Sequence, residues 1–132
     1  MIPATRRNRY SILITDDDRG CRTALRDIVE SEGYAALEAS SGEEALDIVR
    51  GAPVDLVMLD MHMPTLTGLE TIQLVRQFNS VLPCVLVTAD ATEGLLQKAL
   101  QVQAFSVIIK PVSRNVVLYT VVRALAALGR DS

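Results

Sequence analysis

The segment from Val54 to Pro64 constrains the fold more than any other stretch of this 132-residue chain. Its centre, Leu56 to Leu59, is apolar without polar alternation, which is typical of a strand buried on both faces of a parallel sheet. The run ends on a single carboxylate, Asp60, and Pro64 closes the turn that follows. Because open α/β sheets bind ligands at the carboxyl edge of the strands, Asp60 is the first candidate functional residue.

Five apolar runs alternate with five helical patterns along the chain. This alternation predicts a three-layer α/β fold with a parallel sheet between two layers of helices. The predicted strands cover residues 11–15, 34–39, the run ending at 60, 84–88 and 106–109. The second strand is the weakest strand former, and we place it at an edge. We expect one domain over residues 10–130, preceded by a flexible arm of residues 1–9.

Short polar residues mark the expected helix starts. Asp18 is expected to cap the first helix, and Gly33 to end it in the left-handed conformation. Three pairs with capping-box spacing predict the starts of the next three helices: Ser41 with Glu44, Thr67 with Glu70, and Asp90 with Glu93.

Composition excludes several classes of protein. Apolar residues make up 49% and charged residues 22% of the chain, which is globular rather than disordered. A net charge of −3 gives no reason to expect nucleic-acid contact by this domain. No apolar run could span a bilayer and no signal peptide opens the chain, so we expect a cytoplasmic protein without membrane contact. Cys21 and Cys84 lack metal-ligand spacing and are expected to be buried free thiols.

Four of the five predicted strands end on residues able to handle phosphate or metal: Asp16 and Asp17, Asp60, Thr88, and Lys110. In a parallel sheet these residues converge on one edge. Two carboxylates about 5.5 Å apart repel by roughly 3 kcal/mol at an effective dielectric near 20, so three need more positive charge than Lys110 supplies. All-oxygen ligation favours a hard divalent ion such as Mg²⁺. We therefore predict a metal site of Asp16, Asp17 and Asp60, with Asp60 as a potential nucleophile toward phosphorus.

Motifs in register along the chain resemble those of a known family. They are Thr15-Asp16-Asp17-Asp18, Leu59-Asp60-Met61-His62-Met63-Pro64 with Gly68-Leu69-Glu70, Val87-Thr88-Ala89, and Ile109-Lys110-Pro111. Together they resemble the receiver domains of two-component response regulators of the chemotaxis type, over nearly the whole chain.

The resemblance implies a flavodoxin-like fold with strand order 2-1-3-4-5. It also implies that Asp60 is phosphorylated by a histidine kinase or phosphotransfer protein in a Mg²⁺-dependent reaction. By similarity, Asp16 and Asp17 would hold Mg²⁺ together with Asp60 and the backbone carbonyl of His62. Such a domain assists only its own phosphorylation and dephosphorylation, so we do not expect a separate enzyme activity.

The resemblance further implies that Thr88, Lys110 and the backbone of Ala89 contact the phosphoryl oxygens. Two positions depart from the family pattern: Val107 stands where an aromatic switch residue is usual, and Gln103 stands where a Gly-Ala pair normally begins. Phe105 is two positions away, and alternation along a strand predicts that it shares a face with Val107.

Two rival functions remain open at this stage. A pseudo-receiver would signal by protein contacts without phosphorylation, and Val107 and Gln103 support it. A Mg²⁺-dependent phosphatase would use Asp60 as nucleophile but commonly needs an acid two residues on, where this chain has His62.

The last predicted helix, residues 113–128, is apolar around most of its circumference, which predicts a partner surface. We expect a homodimer through the fourth helix, fifth strand and fifth helix.

Overall fold

The computed structural model describes residues 10–127 and contains one parallel sheet in the order β2-β1-β3-β4-β5. The strands are β1 (Ser11–Thr15), β2 (Ala35–Ala39), β3 (Leu56–Asp60), β4 (Cys84–Thr88) and β5 (Ser106–Ile109). The helices are α1 (Arg19–Glu30), α2 (Gly42–Gly51), α3 (Gly68–Phe78), α4 (Glu93–Gln101) and α5 (Arg114–Ala127). The predicted fold class, strand order and edge position of β2 are confirmed. The expected arm of residues 1–9 and the ends predicted at 128 and 130 lie outside the described residues.

Two apolar clusters cover the two faces of the sheet. Residues of α1 and α5 pack on one face and residues of α2, α3 and α4 on the other. Along β3, Leu56 and Met58 join the first cluster while Val57 and Leu59 join the second. This explains why β3 shows no polar alternation: both of its faces are in the core.

Of the four predicted N-cap sites, Asp18 and the Thr67–Glu70 box are confirmed in full. Asp18 Oδ2 accepts the Cys21 N–H at 2.8 Å at the start of α1. Thr67 and Glu70 form a complete capping box, since each side chain accepts the other residue's backbone N–H, at 3.1 and 2.9 Å. Gly33 has φ 88° and its N–H binds the Glu30 carbonyl, as predicted for the residue that ends α1.

The other two predicted boxes differ in the structure. Ser41 caps α2 through the Glu44 N–H, but the Glu44 carboxylate accepts the N–H of Ser40, at 2.6 Å, instead of that of Ser41. The prediction that Asp90 caps α4 is wrong, because Thr92 Oγ1 accepts the Leu95 N–H. The Asp90 N–H is bound by the Thr88 hydroxyl at 3.1 Å, which keeps Asp90 in the turn that leaves β4.

The prediction that Phe105 shares a face with Val107 is also wrong. Phe105 packs against the cluster that contains Ile108 and α5, whereas Val107 packs against the opposite cluster. Because β5 begins only at Ser106, strand alternation does not extend back to Phe105. The Phe105 ring instead lies 5.5 Å below the Arg123 guanidinium of α5.

Candidate functional site

The acidic residues predicted at the strand ends lie together at the carboxyl edge of the sheet. Asp16 and Asp17 follow β1, and Asp60 is the last residue of β3, the strand that pairs with β1. One carboxylate oxygen from each of the three lies within 4.8 Å of the others. Asp16 and Asp60 are buried, and Asp17 is exposed. The buried pair forms the floor of a shallow acidic site and Asp17 its rim.

Lys110, the residue after β5, reaches this cluster. Its Nζ lies 3.1 Å from Asp60 Oδ1 and 3.3 Å from Asp16 Oδ2. Burial by itself lowers the pKa of Lys110, but the hydrogen bond to Asp60 and the charge of Asp16 outweigh it and raise that pKa to about 12. The ammonium is therefore charged at neutral pH, and it leaves the three carboxylates without full charge balance.

Asp16 is fixed through all four of its polar groups. Its N–H binds the Ala39 carbonyl at 3.1 Å, and its Oδ1 accepts the Asp18 N–H at 2.8 Å. Its Oδ2 accepts from Lys110, and its backbone oxygen accepts from Arg22 Nη1 at 2.8 Å. Burial raises the pKa of Asp16 and the charge of Asp60 adds to this, while the Asp18 N–H and Lys110 act against it. Asp16 is thus rigidly placed with its carboxyl toward the site.

The predicted phosphate-contacting residues lie nearby but differ in environment. Thr88 ends β4, next to β3, and is wholly buried, with its Oγ1 accepting the Asp90 N–H. The hydroxyl proton of Thr88 is not used by that bond, so the group keeps a donor. Ala89 is exposed and lines a cavity of about 590 Å³ that Lys110 also borders. His62 is exposed in the loop after β3.

Gly68 brings the start of α3 against this loop. Its N–H binds the Met61 carbonyl at 3.0 Å. A Cβ atom there would lie 2.6 Å from both the Asp60 carbonyl oxygen and Leu86 Cδ1, far inside any normal contact. The absence of a side chain at Gly68 therefore allows the start of α3 to lie close against the backbone of Asp60.

The sequence analysis missed two residues at this site. Cys21 was expected to be buried, but it is half-buried, and its Sγ lies 3.8 Å from Lys110 Nζ. Cys84 is buried as predicted, and burial raises its pKa to about 11. Arg22 was not considered, because nothing local in the sequence indicates that its guanidinium turns back to the Asp16 carbonyl. Its position one helical turn after the Asp18 cap was the only available signal.

The donor set fits a hard divalent cation. All three side chains offer carboxylate oxygens, the ligand type that Mg²⁺ prefers, and their oxygens are close enough to reach one ion. Lys110 alone leaves negative charge uncompensated, so a cation would relieve the repulsion among the carboxylates. The geometry of the described residues is thus suited to Mg²⁺, with a nucleophilic carboxylate beside it.

The chain matches a known protein family and several characterised proteins. Residues 12–122 match the family model described as "Response regulator receiver domain". The chain is 33% identical over 118 residues to the transcriptional regulatory protein ZraR of Klebsiella oxytoca, covering 89% of this chain and 27% of that protein. It is also 33% identical over 100 residues to sporulation initiation phosphotransferase F of Bacillus subtilis, covering 76% of this chain and 81% of the relative. The chain thus spans about a quarter of the length of ZraR.

A solved structure shares the whole architecture. The chemotaxis protein CheY4 of Vibrio cholerae superimposes with a TM-score of 0.85 at 27% identity, covering 88% of this chain and 98% of that one. No helix among residues 10–127 has the length and apolar character needed to cross a membrane.

Proposed function

The chain belongs to the response regulator receiver domain family, and from this premise we propose that it accepts a phosphoryl group on Asp60 from a histidine kinase or phosphotransfer protein. The observation that carries the proposal is the contact of one ammonium, Lys110, with two carboxylates of a three-acid cluster. Such a cluster is costly unless a cation completes it, and that cation together with the Lys110 ammonium would attract a phosphoryl group.

The two oxygens of Asp60 differ in a way that suits nucleophilic attack. Oδ1 is 3.1 Å from Lys110 Nζ. For Oδ2 the described part of the chain shows no hydrogen-bond partner, so its lone pairs are available. In the proposed step Oδ2 forms a bond to phosphorus while the bond from phosphorus to the donor imidazole nitrogen breaks. The electron pair of that bond leaves with the imidazole, and Lys110 stays on Oδ1 to orient the carboxylate.

Asp16, Asp17 and Asp60 would hold Mg²⁺, with the backbone carbonyl of His62 as a further oxygen ligand. When bound there, the ion supplies positive charge to the phosphoryl oxygens as they approach the acids. Asp16 is preorganised for this role, because its backbone and both carboxylate oxygens are already hydrogen-bonded to protein groups. The protein's contribution is therefore a fixed array of oxygens at the sheet edge.

The phosphoryl group on Asp60 would be bound by Lys110, by the Ala89 N–H and by the Thr88 hydroxyl. Thr88 Oγ1 accepts from Asp90 in the structure, and its remaining proton would be donated to a phosphoryl oxygen. Attraction to the new anion would move Thr88, and the Asp90 N–H bound to its hydroxyl would move with it, together with the turn before α4. This route does not require an aromatic residue at Val107, so the departure from the family pattern leaves the first step of switching intact.

We further propose that the face formed by α4, β5 and α5 is the output surface and pairs two copies of the domain. Six large apolar side chains of these elements remain exposed, of which Leu100 is the most exposed at 76%: Leu96, Leu100, Ile109, Val116, Tyr119 and Val122. Sedimentation should show a shift from monomer to dimer when a phosphoryl analogue such as trifluoroberyllate is added with Mg²⁺. A monomer at high concentration under both conditions would contradict the dimer.

We expect the phosphoryl donor to approach through the cavity of about 590 Å³ beside Lys110. The wall of this cavity includes the apolar side chains of Leu25 and Val112. A kinase that uses cellular ATP works in the cytoplasm, so we place the domain there. Binding of nucleic acid or membrane is no part of this role.

Incubation with acetyl phosphate, followed by intact mass measurement, tests the proposed function. We expect the native protein to gain the mass of one phosphoryl group in Mg²⁺ but not in EDTA. Asp60→Asn should gain none, whereas Asp47→Asn, which changes an exposed aspartate on α2, should behave as the native protein. A native protein that stays unmodified would instead favour the pseudo-receiver, and sustained turnover of a phosphate ester would favour the phosphatase.

A further inference from the structure

Asp17 is the least constrained of the three acids. It is exposed, and no hydrogen bond or ion pair of its side chain occurs within the part of the chain that the structure describes. Its direction therefore depends on its backbone. The Asp16 carbonyl and the Asp17 N and Cα belong to one planar peptide unit, so a group that fixes that carbonyl also fixes the start of Asp17.

Arg22 is that group. Its Nη1 donates to the Asp16 backbone oxygen at 2.8 Å, across the turn between β1 and α1. Its Nε donates to Glu38 Oε1 at 3.3 Å on β2, and its side chain is only 16% exposed. Glu38 is held in turn, since its other carboxylate oxygen accepts from Arg26 Nη1 at 2.9 Å. The guanidinium is thus anchored on the sheet edge before it reaches the Asp16 carbonyl.

We propose that Arg22 is a positioning residue for the metal site, acting through the Asp16–Asp17 peptide. The inference rests on the proposed function, since it assigns a role toward the Mg²⁺ that Asp16, Asp17 and Asp60 would bind. Groups that orient metal ligands without touching the metal commonly change affinity by about 10- to 100-fold when removed. Arg22 binds the backbone of one ligand, Asp16, and orients the second, Asp17, through the peptide plane. We therefore expect a change in Mg²⁺ affinity at the lower end of this range.

Charge alone predicts the opposite change in Mg²⁺ affinity when Arg22 is removed, so a binding measurement distinguishes the two explanations. A guanidinium near a cation site repels the cation, so removing its charge would tighten Mg²⁺ binding if charge were all that mattered. If Arg22 positions Asp17, removing it weakens binding. Arg26 is the matched control: it lies one turn further along α1 and also contacts Glu38, but it has no contact with Asp16 or Asp17.

The experiment is a calorimetric titration of Mg²⁺ into the full chain and its variants. Arg22→Met should raise the Kd for Mg²⁺ about tenfold, whereas Arg26→Met should stay within about twofold of the native value. Arg22→Lys should recover part of the loss, because an ammonium can still donate to the Asp16 carbonyl. An unchanged or lower Kd for Arg22→Met, with Mg²⁺ binding by the native protein intact, would overturn the positioning role alone. A native protein that binds no Mg²⁺ would overturn the proposed function with it.

Circular dichroism shows whether Arg22→Met is folded. Should it not be, Glu38→Met takes its place, because it removes the acceptor that anchors Arg22 and leaves the turn untouched. Its charge-matched control is Glu30→Met, which also removes a carboxylate paired with Arg26 but has no contact with Arg22. Glu38→Met should weaken Mg²⁺ binding more than Glu30→Met does, and equal affinities of these two variants would overturn the proposal.

Discussion

Replacing Lys110 by Met removes the positive charge that the described structure places directly against the buried acids. At an effective dielectric near 20, ion pairs of 3.1 and 3.3 Å are each worth roughly 5 kcal/mol. Desolvation offsets much of this, and removing one partner of a buried pair costs about 3–5 kcal/mol. Because 24% of the Lys110 side chain remains in solvent, the lower figure applies. We expect Lys110→Met to lose about 3 kcal/mol of unfolding free energy in Mg²⁺-free buffer.

Mg²⁺ should restore more stability to this variant than to the native protein. A ligand at 100 times its Kd adds about 2.7 kcal/mol to the folded state. Without the ammonium of Lys110, Asp16 and Asp60 attract the ion more strongly, so at equal Mg²⁺ the variant gains more. The charge of the ion then takes the place of the lost lysine.

Urea denaturation in EDTA and in saturating Mg²⁺, followed by circular dichroism, measures both effects. Lys98→Met is the control, since Lys98 is the other lysine of the chain, is exposed on α4 and shows no ion pair in the described region. A Lys110→Met variant as stable as Lys98→Met in EDTA would contradict the role of Lys110 in charge balance. A gain from Mg²⁺ no larger for Lys110→Met than for the native protein would contradict it equally.

Three further predictions follow from the geometry. Burial raises the pKa of Asp16 above its ordinary value, so protonation of Asp16 stabilises the folded state fully below the ordinary pKa. This contribution is lost as pH rises through the raised pKa. Protons and Mg²⁺ then compete, and calorimetry should show affinity falling on acidification; a constant Kd would refute this. Gly68→Ala should cost about 2 kcal/mol through its clash with the Asp60 carbonyl, whereas Gly51→Ala, with open space around it, should be neutral or gain up to about 1 kcal/mol. Equal melting temperatures of the two would contradict the clash. If the exposed His62 ring screens the acyl phosphate from water, His62→Ala should shorten the phosphate's lifetime, and equal lifetimes would reject that role.

Much of the fold follows from local signals in the sequence. The unbroken apolar run of β3 predicts a strand buried on both faces, and both clusters do contain its residues. The convergence of Asp16, Asp17 and Asp60 follows from parallel topology alone, because strands of one sense share a carboxyl edge. The pairing of Lys110 with two of these acids follows from the same edge and from the need for charge balance.

The errors arise where several residues compete for one structural role. Asp90 and Thr92 could each cap α4, and the Thr88 hydroxyl decides the choice by binding the Asp90 N–H. The error at Phe105 has another cause: β5 begins at Ser106, as predicted, so the alternation along the strand does not apply to the residue before it.

The role of Arg22 could not be predicted, for a different reason. Its partners are the Asp16 backbone carbonyl and Glu38, which lies sixteen positions away on β2. A carbonyl leaves no trace in the sequence, and an arginine–glutamate pair at that separation is indistinguishable from two solvated surface charges. Only the three-dimensional arrangement brings them together.

The central claim is that the acids at the sheet edge are gathered to hold a divalent ion and a phosphoryl group on Asp60. Crystals grown with Mn²⁺ and trifluoroberyllate test it directly, because the anomalous signal of Mn²⁺ locates the ion. We predict one strong peak bonded to oxygens of Asp16, Asp17 and Asp60, with beryllium bound to Asp60 Oδ2 and Lys110 on a fluoride. An ion bound elsewhere, or a trifluoroberyllate group absent from Asp60, would contradict the account.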